Sequence, residues 1–557
     1  MWRIRIVCLV LILGYVGIVC RLFYWQVIAS DRLRLEAASQ YYIQLPLPAQ
    51  RGSIYASDKS PLVINQPAYL VFASPKSIDN ALLFSERISG VLGGTKESIF
   101  DSITRPGRVW VPLAHKVESE KADALKLLGL SGLGFEKEPK RFYPEASMAA
   151  RVVGFVGSDD NGKDTGYFGL EGYYNQELGG KDGMLEIEKD AKGNPIAIGI
   201  AKRIESQDGR SLVLWLDRTI QYAVEQKLLD GITKYGAKEG SVVIMDPKTG
   251  GILAMASFPG YDQRIYAESD RALYKNPVVG DSYEPGSTFK VMVMSSALDK
   301  NVITPLTQVD ESGPVKVGEY YIRTWDNKYH GTLTMTQVLE HSSNVGMVSV
   351  QKKLGNDAFI DTIHRFGFGE QTNVDLQDET SPSLRDDRDW KEIDLATASF
   401  GQGIAVTPLQ MVRAVGALAN DGWLMEPHVV KDIRDGDGRL ISIRPKKIRQ
   451  VVSSAAAQAI TEMMVNAVDS GEAKWAKPKG YRIAGKTGTA QIPVAGHYDD
   501  KKTIASFVGF APSDNPRFVM LVTLREPTSS PWGSETAAPL FFSIARDIFA
   551  YYGIGPQ

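Results

Sequence analysis

The chain has 557 residues, more than one ordinary domain holds, and its 43% hydrophobic and 23% charged content excludes both a disordered chain and a many-span membrane protein. Its 63 basic residues against 65 acidic ones leave a net charge of −2, so no basic excess points to nucleic acid. Both cysteines, Cys8 and Cys20, lie in the first apolar segment and the six histidines lack HExxH-type spacing, so neither disulfide nor metal chemistry is expected beyond it.

Taken in order, Ile6 to Ala29 is apolar except for Arg21 and Gln26, long enough to span a bilayer core of ~30 Å. Arg3 and Arg5 precede it, so the positive-inside rule keeps residues 1–5 as a short cytoplasmic tail and sends everything after about Ser30 outside. Val27-Ile28-Ala29 is a poor cleavage site, Val19 is too large to precede a lipidated Cys20, and so long a run suits no buried helix. Residues 6–29 read as an uncleaved transmembrane signal anchor. Arg21, costly at mid-membrane, sits towards the outer end, where it can snorkel.

Residues 30–205 mix short strand-like runs, such as Leu62–Ile64 and Tyr69–Ala73, with polar amphipathic stretches and frequent turn glycines. They show no catalytic constellation and read as a scaffold. Near Ser206 the pattern changes. A strand is expected at Ser211–Trp215, and a helix capped by Asp217 through about Tyr235, with Ile220, Val224, Leu228 and Ile232 on one face. Ser241–Met245 and Ile252–Ser257 flank an Asp/Pro/Gly turn and read as a hairpin. Thr503–Ala511 and Phe518–Leu524 read as two further strands, and Pro539–Tyr551 as a final amphipathic helix. Strands at both ends with helices between predict an α+β domain whose sheet is completed by distant segments.

Three short motifs carry chemistry. In Glu284-Pro-Gly-Ser-Thr-Phe-Lys290, a helix beginning near Ser287 would place Ser287 and Lys290 one turn apart on one face. A serine hydroxyl attacks only when a base takes its proton, and a neutral lysine can do so. Moving a lysine from its usual value to about 7 costs ~4.6 kcal/mol, which burial and a second cation can supply. In Ser342-Ser343-Asn344, the hydroxyl of Ser342 and the amide of Asn344 can face one cleft, although the bare triplet also fits a turn or helix cap. In Lys486-Thr-Gly-Thr489, strand alternation puts Lys486 and Gly488 on one side and Thr487 and Thr489 on the other. Lys486 is the second cation, Gly488 permits close approach to the strand, and the hydroxyls can grip a carboxylate. Gly480 with Gly485-Lys486-Thr487 also satisfies the bare phosphate-loop spacing, but no apolar strand leads in and no helix leads out.

The ordered set Ser-x-x-Lys, Ser-x-Asn, Lys-Thr-Gly is a stated signature of penicillin-binding proteins and class A β-lactamases. Asp246–Ser257, Ala398–Gln410 and Phe507–Pro512 resemble the transpeptidase domain of class B penicillin-binding proteins, and Arg51-Gly52, Arg141–Pro144 and Gly169–Gly172 resemble that class's pedestal. Where the class usually carries an acidic–basic pair after Tyr55, this chain has Ala56-Ser57. The resemblance implies a dimerisation-type pedestal at 30–205 and a transpeptidase domain at 206–557 with a central antiparallel sheet flanked by helices.

It further implies a serine D,D-transpeptidase without a cofactor. Ser287 would attack the penultimate D-Ala of a peptidoglycan stem peptide, with Lys290 as base, Ser342 as proton shuttle and Asn344 as orienting amide. Lys486, Thr487, Gly488 and Thr489 would hold the substrate carboxylate, which a β-lactam mimics, and the backbone N–H groups of Ser287 and Thr489 would form the oxyanion hole. Implied partners are stem peptides, β-lactams as covalent inhibitors, a membrane-embedded glycan polymerase and other division proteins. Glu284 and Asn344-Val-Gly346 resemble the division (septal) type more than the elongation type. A β-lactamase or β-lactam sensor would share the nucleophile, yet no deacylating glutamate is evident. A non-catalytic scaffold would not need the set.

Overall fold

The computed structural model describes residues 1–34, 42–160, 162–189, 195–494 and 497–556; positions 35–41, 161 and 190–194 of the segment 30–205, with 495, 496 and 557, lie outside these. Two compact units emerge, Met1–Arg51 with Gly179–Gly209, and Gly52–Leu178 with Arg210–Gln557.

In the first unit, the apolar segment forms the helix Trp2–Phe23, extended by one π-turn at Tyr24–Ile28. It begins four residues before Ile6 because nothing in Trp2–Arg5 breaks a helix. Its 27 residues rise about 40 Å at 1.5 Å each, long enough to cross a membrane, and none is buried in protein. The remainder of this unit is an antiparallel sheet of Tyr42–Leu47, Gly183–Lys189 and Pro195–Ile204.

The second unit holds two larger sheets. One has six strands drawn from across the sequence, in the order Leu440–Ser442, Val430–Arg434, Ser211–Leu214, Ile54–Tyr55, Pro61–Gln66, Lys140–Phe142. Ser211–Leu214, expected as a strand, thus pairs parallel with Ile54–Tyr55 and antiparallel with Val430–Arg434. Ala56 is fully buried, and Ser57 keeps a backbone hydrogen bond to Leu216. A smaller sheet of Val111–Glu118, Ala68–Ala73 and Leu133–Lys137 has its own core around Val71, Phe84, Ile88 and Leu125.

The other large sheet is antiparallel and five-stranded, in the order Ile252–Phe258, Glu239–Met245, Phe518–Arg525, His497–Ala511, Ala484–Val494. Both faces are covered, so apolar residues alternate between two cores. Val242, Ile244, Phe507, Met520 and Val522 pack on the side of the helices Arg218–Tyr235 and Ala537–Tyr551. Val243, Met245, Val508, Phe510 and Leu521 face Lys290–Asp299, Pro408–Leu418 and Ser454–Ser470. The first helix has its expected cap: Asp217 accepts from the backbone N–H groups of Thr219 and Ile220 at 2.9 and 3.1 Å, and Gly236 closes it in the left-handed region.

Arg141–Pro144 and Gly169–Gly172 meet in a buried ion pair. Arg141 Nε donates to Glu171 Oε1 at 2.8 Å, its Nη2 lies 2.7 Å from the same oxygen, and Nη1 donates to Asn65 at 2.9 Å. Strand register sets Asn65 beside Arg141, and the short helix Gly169–Tyr173 carries Glu171. A buried cation left without its partner pays desolvation with nothing in return. Glu171→Ala should therefore destabilise the folded chain by about 3–5 kcal/mol in denaturant unfolding, and a loss under about 1 kcal/mol would show the pair to be dispensable.

Candidate active site

Ser287 sits on a tighter turn than the helix expected for it. Gly286–Phe289 is a 3₁₀ turn feeding the α-helix Lys290–Asp299, with the Lys290 N–H bonded to the Ser287 carbonyl. In a 3₁₀ turn residues three apart eclipse, which aligns Ser287 and Lys290 more closely than an α-helix would. Crowding explains the tightness. Gly286 has φ +56°, and a Cβ there would lie 3.0 Å from the Thr489 carbonyl oxygen. On the other side a Cβ on Gly401, at φ +82°, would lie 2.1 Å from the Gly286 carbonyl oxygen. The Gly286 N–H bonds to the Gly401 carbonyl at 3.0 Å, and Thr288 Oγ1 donates to the Pro285 carbonyl at 2.7 Å.

Lys290 is fully buried and its amine is the hub. Nζ lies 2.5 Å from the Ser342 carbonyl oxygen, 2.8 Å from Asn344 Oδ1 and 3.3 Å from Ser342 Oγ. Ser342 adopts φ +54°, uncommon for a residue with a side chain, and this brings its carbonyl and hydroxyl to one amine. Ser343, rather than Ser342, caps the following helix Asn344–Leu354, its Oγ accepting from the Gly346 N–H at 2.8 Å. Asn344 is therefore the first helical residue, and its Nδ2 donates to the Arg323 carbonyl at 3.2 Å.

Ala484–Val494 is a strand at the sheet edge, and no helix follows Lys486, which removes the phosphate-loop reading. The alternation is as expected: Lys486 and Gly488 are buried, Thr487 and Thr489 half-buried. Lys486 Nζ donates to Thr487 Oγ1 at 3.1 Å. Thr489 Oγ1 accepts from the Gly533 N–H at 3.0 Å. The close approach that Gly488 permits is made by the protein itself: a Cβ there would lie 2.4 Å from Ser506 Oγ, 2.8 Å from Thr288 Cγ2 and 3.1 Å from the Pro285 carbonyl oxygen.

Electrostatics follow from burial. Desolvation pushes the Lys290 amine well below its ordinary value, and repulsion from Lys486 adds to this; Glu472 and Glu311 oppose it. Burial lowers Lys486 to about 8. A neutral Lys290 can give its two N–H bonds to the Ser342 carbonyl and Asn344 Oδ1, keeping its lone pair for a hydroxyl.

A cavity of about 280 Å³ opens on Ser287, Asn344 and Thr489. Its wall includes Trp325 and Trp532, in edge-to-face contact at 4.8 Å, with Phe400, Gln402 and Gln491, none of which sequence spacing singles out. Phe400 and Gln402 do lie in the Ala398–Gln410 stretch, whereas only loop packing brings the two tryptophans together. Thr487 and Lys486 do not line this cavity. Among the described residues no cluster of His, Cys, Asp and Glu could hold a metal ion.

Residues 240–550 match the family described as the penicillin binding protein transpeptidase domain, and residues 46–214 the penicillin-binding protein dimerisation domain. Stage V sporulation protein D of Bacillus subtilis is 32% identical over 562 residues, covering 100% of this chain and 86% of the relative. Peptidoglycan D,D-transpeptidase FtsI of Escherichia coli is 29% identical, covering 100% and 93%. The crystal structure of a peptidoglycan synthetase from Bifidobacterium adolescentis is 26% identical with a TM-score of 0.76, over 93% of this chain and 98% of that one. With both domain matches and the three motifs gathered around one buried amine, this chain belongs to the penicillin-binding protein transpeptidase family.

Proposed function

We infer that this protein is a peptidoglycan D,D-transpeptidase that cross-links stem peptides through an acyl-enzyme on Ser287 and is a target of β-lactams. The observation that carries the reading is the buried Lys290 amine, held by Ser342 and Asn344 beside the nucleophile's turn. Neutral Lys290 takes the proton of Ser287 Oγ as that oxygen attacks the penultimate D-Ala carbonyl. The oxyanion is met by the backbone N–H groups of Ser287 and Thr489, a contribution of ~3–4 kcal/mol per donor in comparable sites. Ser342 Oγ relays the proton to the leaving amine, the C–N bond breaks, terminal D-Ala departs, and an ester on Ser287 remains. An amine of a neighbouring stem peptide attacks that ester, forms the cross-link and returns the proton to Ser287. Asn344 holds Lys290 and the donor backbone, while Lys486, Thr487 and Thr489 receive the substrate carboxylate. Gly488 keeps the strand close enough to the catalytic turn for this.

The N-terminal helix is the membrane anchor in this reading, with residues 1–5 cytoplasmic and the chain beyond it extracytoplasmic. Residues 30–205 form the pedestal and 206–557 the transpeptidase domain. Similarity along the full chain to FtsI, together with Glu284 and Asn344-Val-Gly346, favours septal wall synthesis over side-wall elongation, beside a membrane-embedded glycan polymerase and other division proteins. Glu284 has a structural part as well: its Oε1 accepts from the Gly403 N–H at 3.1 Å, tying the segment before Ser287 to the loop behind it.

Wild-type protein should form a stable covalent adduct with a labelled penicillin, and correctly folded Ser287→Ala should form none. Labelling of the alanine variant at the wild-type rate would sink the assignment, and rapid turnover of the penicillin would mark a hydrolase instead. A fluorescent fusion is expected at midcell rings in dividing cells, whereas dispersed side-wall signal would make this the elongation enzyme.

A further inference from the structure

A second cavity, of about 610 Å³, lies over the five-stranded sheet away from the catalytic cavity and shares no lining residue with it. Its volume is that of a small-molecule site. Phe258, Pro259, Leu273, Pro408 and Ile504 supply an apolar wall, and Arg271, Lys275 and Arg525 stand around it. Two carboxylates line it as well, and each pairs with a cation: Asp281 lies 3.1 Å from Lys275 and Glu239 3.7 Å from Arg525.

Arg151 is different. It lines the cavity, yet its hydrogen bonds go to neutral partners, from Nε to the Leu273 carbonyl at 2.7 Å and from Nη1 to Ser257 Oγ at 2.9 Å. Among the described residues no carboxylate lies within 4 Å of it. Burial lowers its pKa, but an arginine stays charged at neutral pH. Asp281 and Glu239 act on it only at longer range, and each is already paired, to Lys275 and Arg525 respectively. A half-buried guanidinium whose direct hydrogen bonds all go to neutral partners, beside an open apolar cavity, is a place for an anion.

The floor of this cavity belongs to a hydroxyl row crossing the whole sheet. Strand register sets Ser257 opposite Ser241, Ser241 opposite Thr523, Thr523 opposite Ser506, and Ser506 opposite Gly488. Ser241 and Thr523 line the cavity and their hydroxyls lie 2.7 Å apart. The row starts at the Arg151 contact and ends beneath Gly488, against the turn that carries Ser287. A second link runs through Tyr283, which also lines the cavity. Its backbone exchanges two 2.9 Å hydrogen bonds with Val406, and the same pair of segments continues to Gly286 and Gly401.

We propose that this cavity is a binding site for a small organic carboxylate with an apolar body, its charge held by Arg151, and that its occupancy alters the rate at which Ser287 is acylated. The second half rests on the acyl-enzyme reading above, so binding and acylation are to be read separately.

The test uses the full chain in detergent, 3-phenylpropionate as probe and 3-phenylpropionamide as its uncharged control. Calorimetry should give the acid a Kd of ~1 mM, about what eleven well-placed heavy atoms reach, and the amide at least ~10-fold weaker binding. Arg151→Met should abolish the preference for the acid, and Ala272→Trp, which puts a large side chain at an exposed lining position and keeps Arg151, should abolish binding of both. Saturating acid should change the labelled-penicillin acylation rate of wild type at least ~2-fold, and leave that of both variants unchanged. Equal binding of acid and amide, binding indifferent to both substitutions, or an acylation rate unmoved at saturation would each overturn the proposal. Absence of any penicillin adduct would instead strike the acyl-enzyme reading and leave the calorimetry to stand alone.

Discussion

The site depends on removing one amine from water. Lys290 Nζ is enclosed by protein, and its contacts are two carbonyl-type oxygens and one hydroxyl. Neutral acceptors do not repay the desolvation of a full charge, so the uncharged amine is favoured and Lys486 reinforces this by repulsion. Glu311 and Glu472 pull the other way at longer range and are outweighed. A charged Lys290 could only donate; an uncharged one can accept the serine proton.

Much of the surrounding structure exists to keep that amine enclosed and Ser287 beside it. The turn carrying Ser287 is clamped between the edge strand at Thr489 and the loop at Gly401, with approaches that admit no Cβ at Gly401 or Gly488 and leave little room for one at Gly286. Left-handed backbone at Ser342 lets a single residue offer both carbonyl and hydroxyl. The cap on the next helix passes to Ser343, which frees Ser342 for Lys290. These devices come from segments up to about 200 residues apart in sequence, held by two cores on opposite faces of one sheet.

The parts legible in the sequence are those governed by local pattern. The apolar anchor, the capped helix after Asp217, the hairpin around Asp246–Gly251 and the alternation at Lys486–Thr489 each follow from nearest-neighbour chemistry. The three motifs could be ranked only as an ordered set, since Ser342-Ser343-Asn344 alone does look like a cap, and one of its serines is one. What stayed hidden is non-local. The 3₁₀ form of the Ser287 turn is imposed by Thr489 and Gly401, neither of which is near it in sequence. The six-stranded sheet joins Ile54–Tyr55 to Ser211–Leu214 and Val430–Arg434, and no periodicity announces such a pairing. The meeting of Trp325 with Trp532, and of Arg141 with Glu171, is likewise a product of packing.

The most direct test of this account is the charge on Lys290 itself. Protein labelled with carbon-13 at lysine Cε, with Lys290→Arg to assign the resonance, allows that amine to be titrated by its chemical shift. The account predicts one resonance in the neutral position at pH 7 while surface lysines keep their charge to about pH 10, and its return to the charged position only on acidification. A Lys290 resonance that titrates with the surface lysines would contradict it.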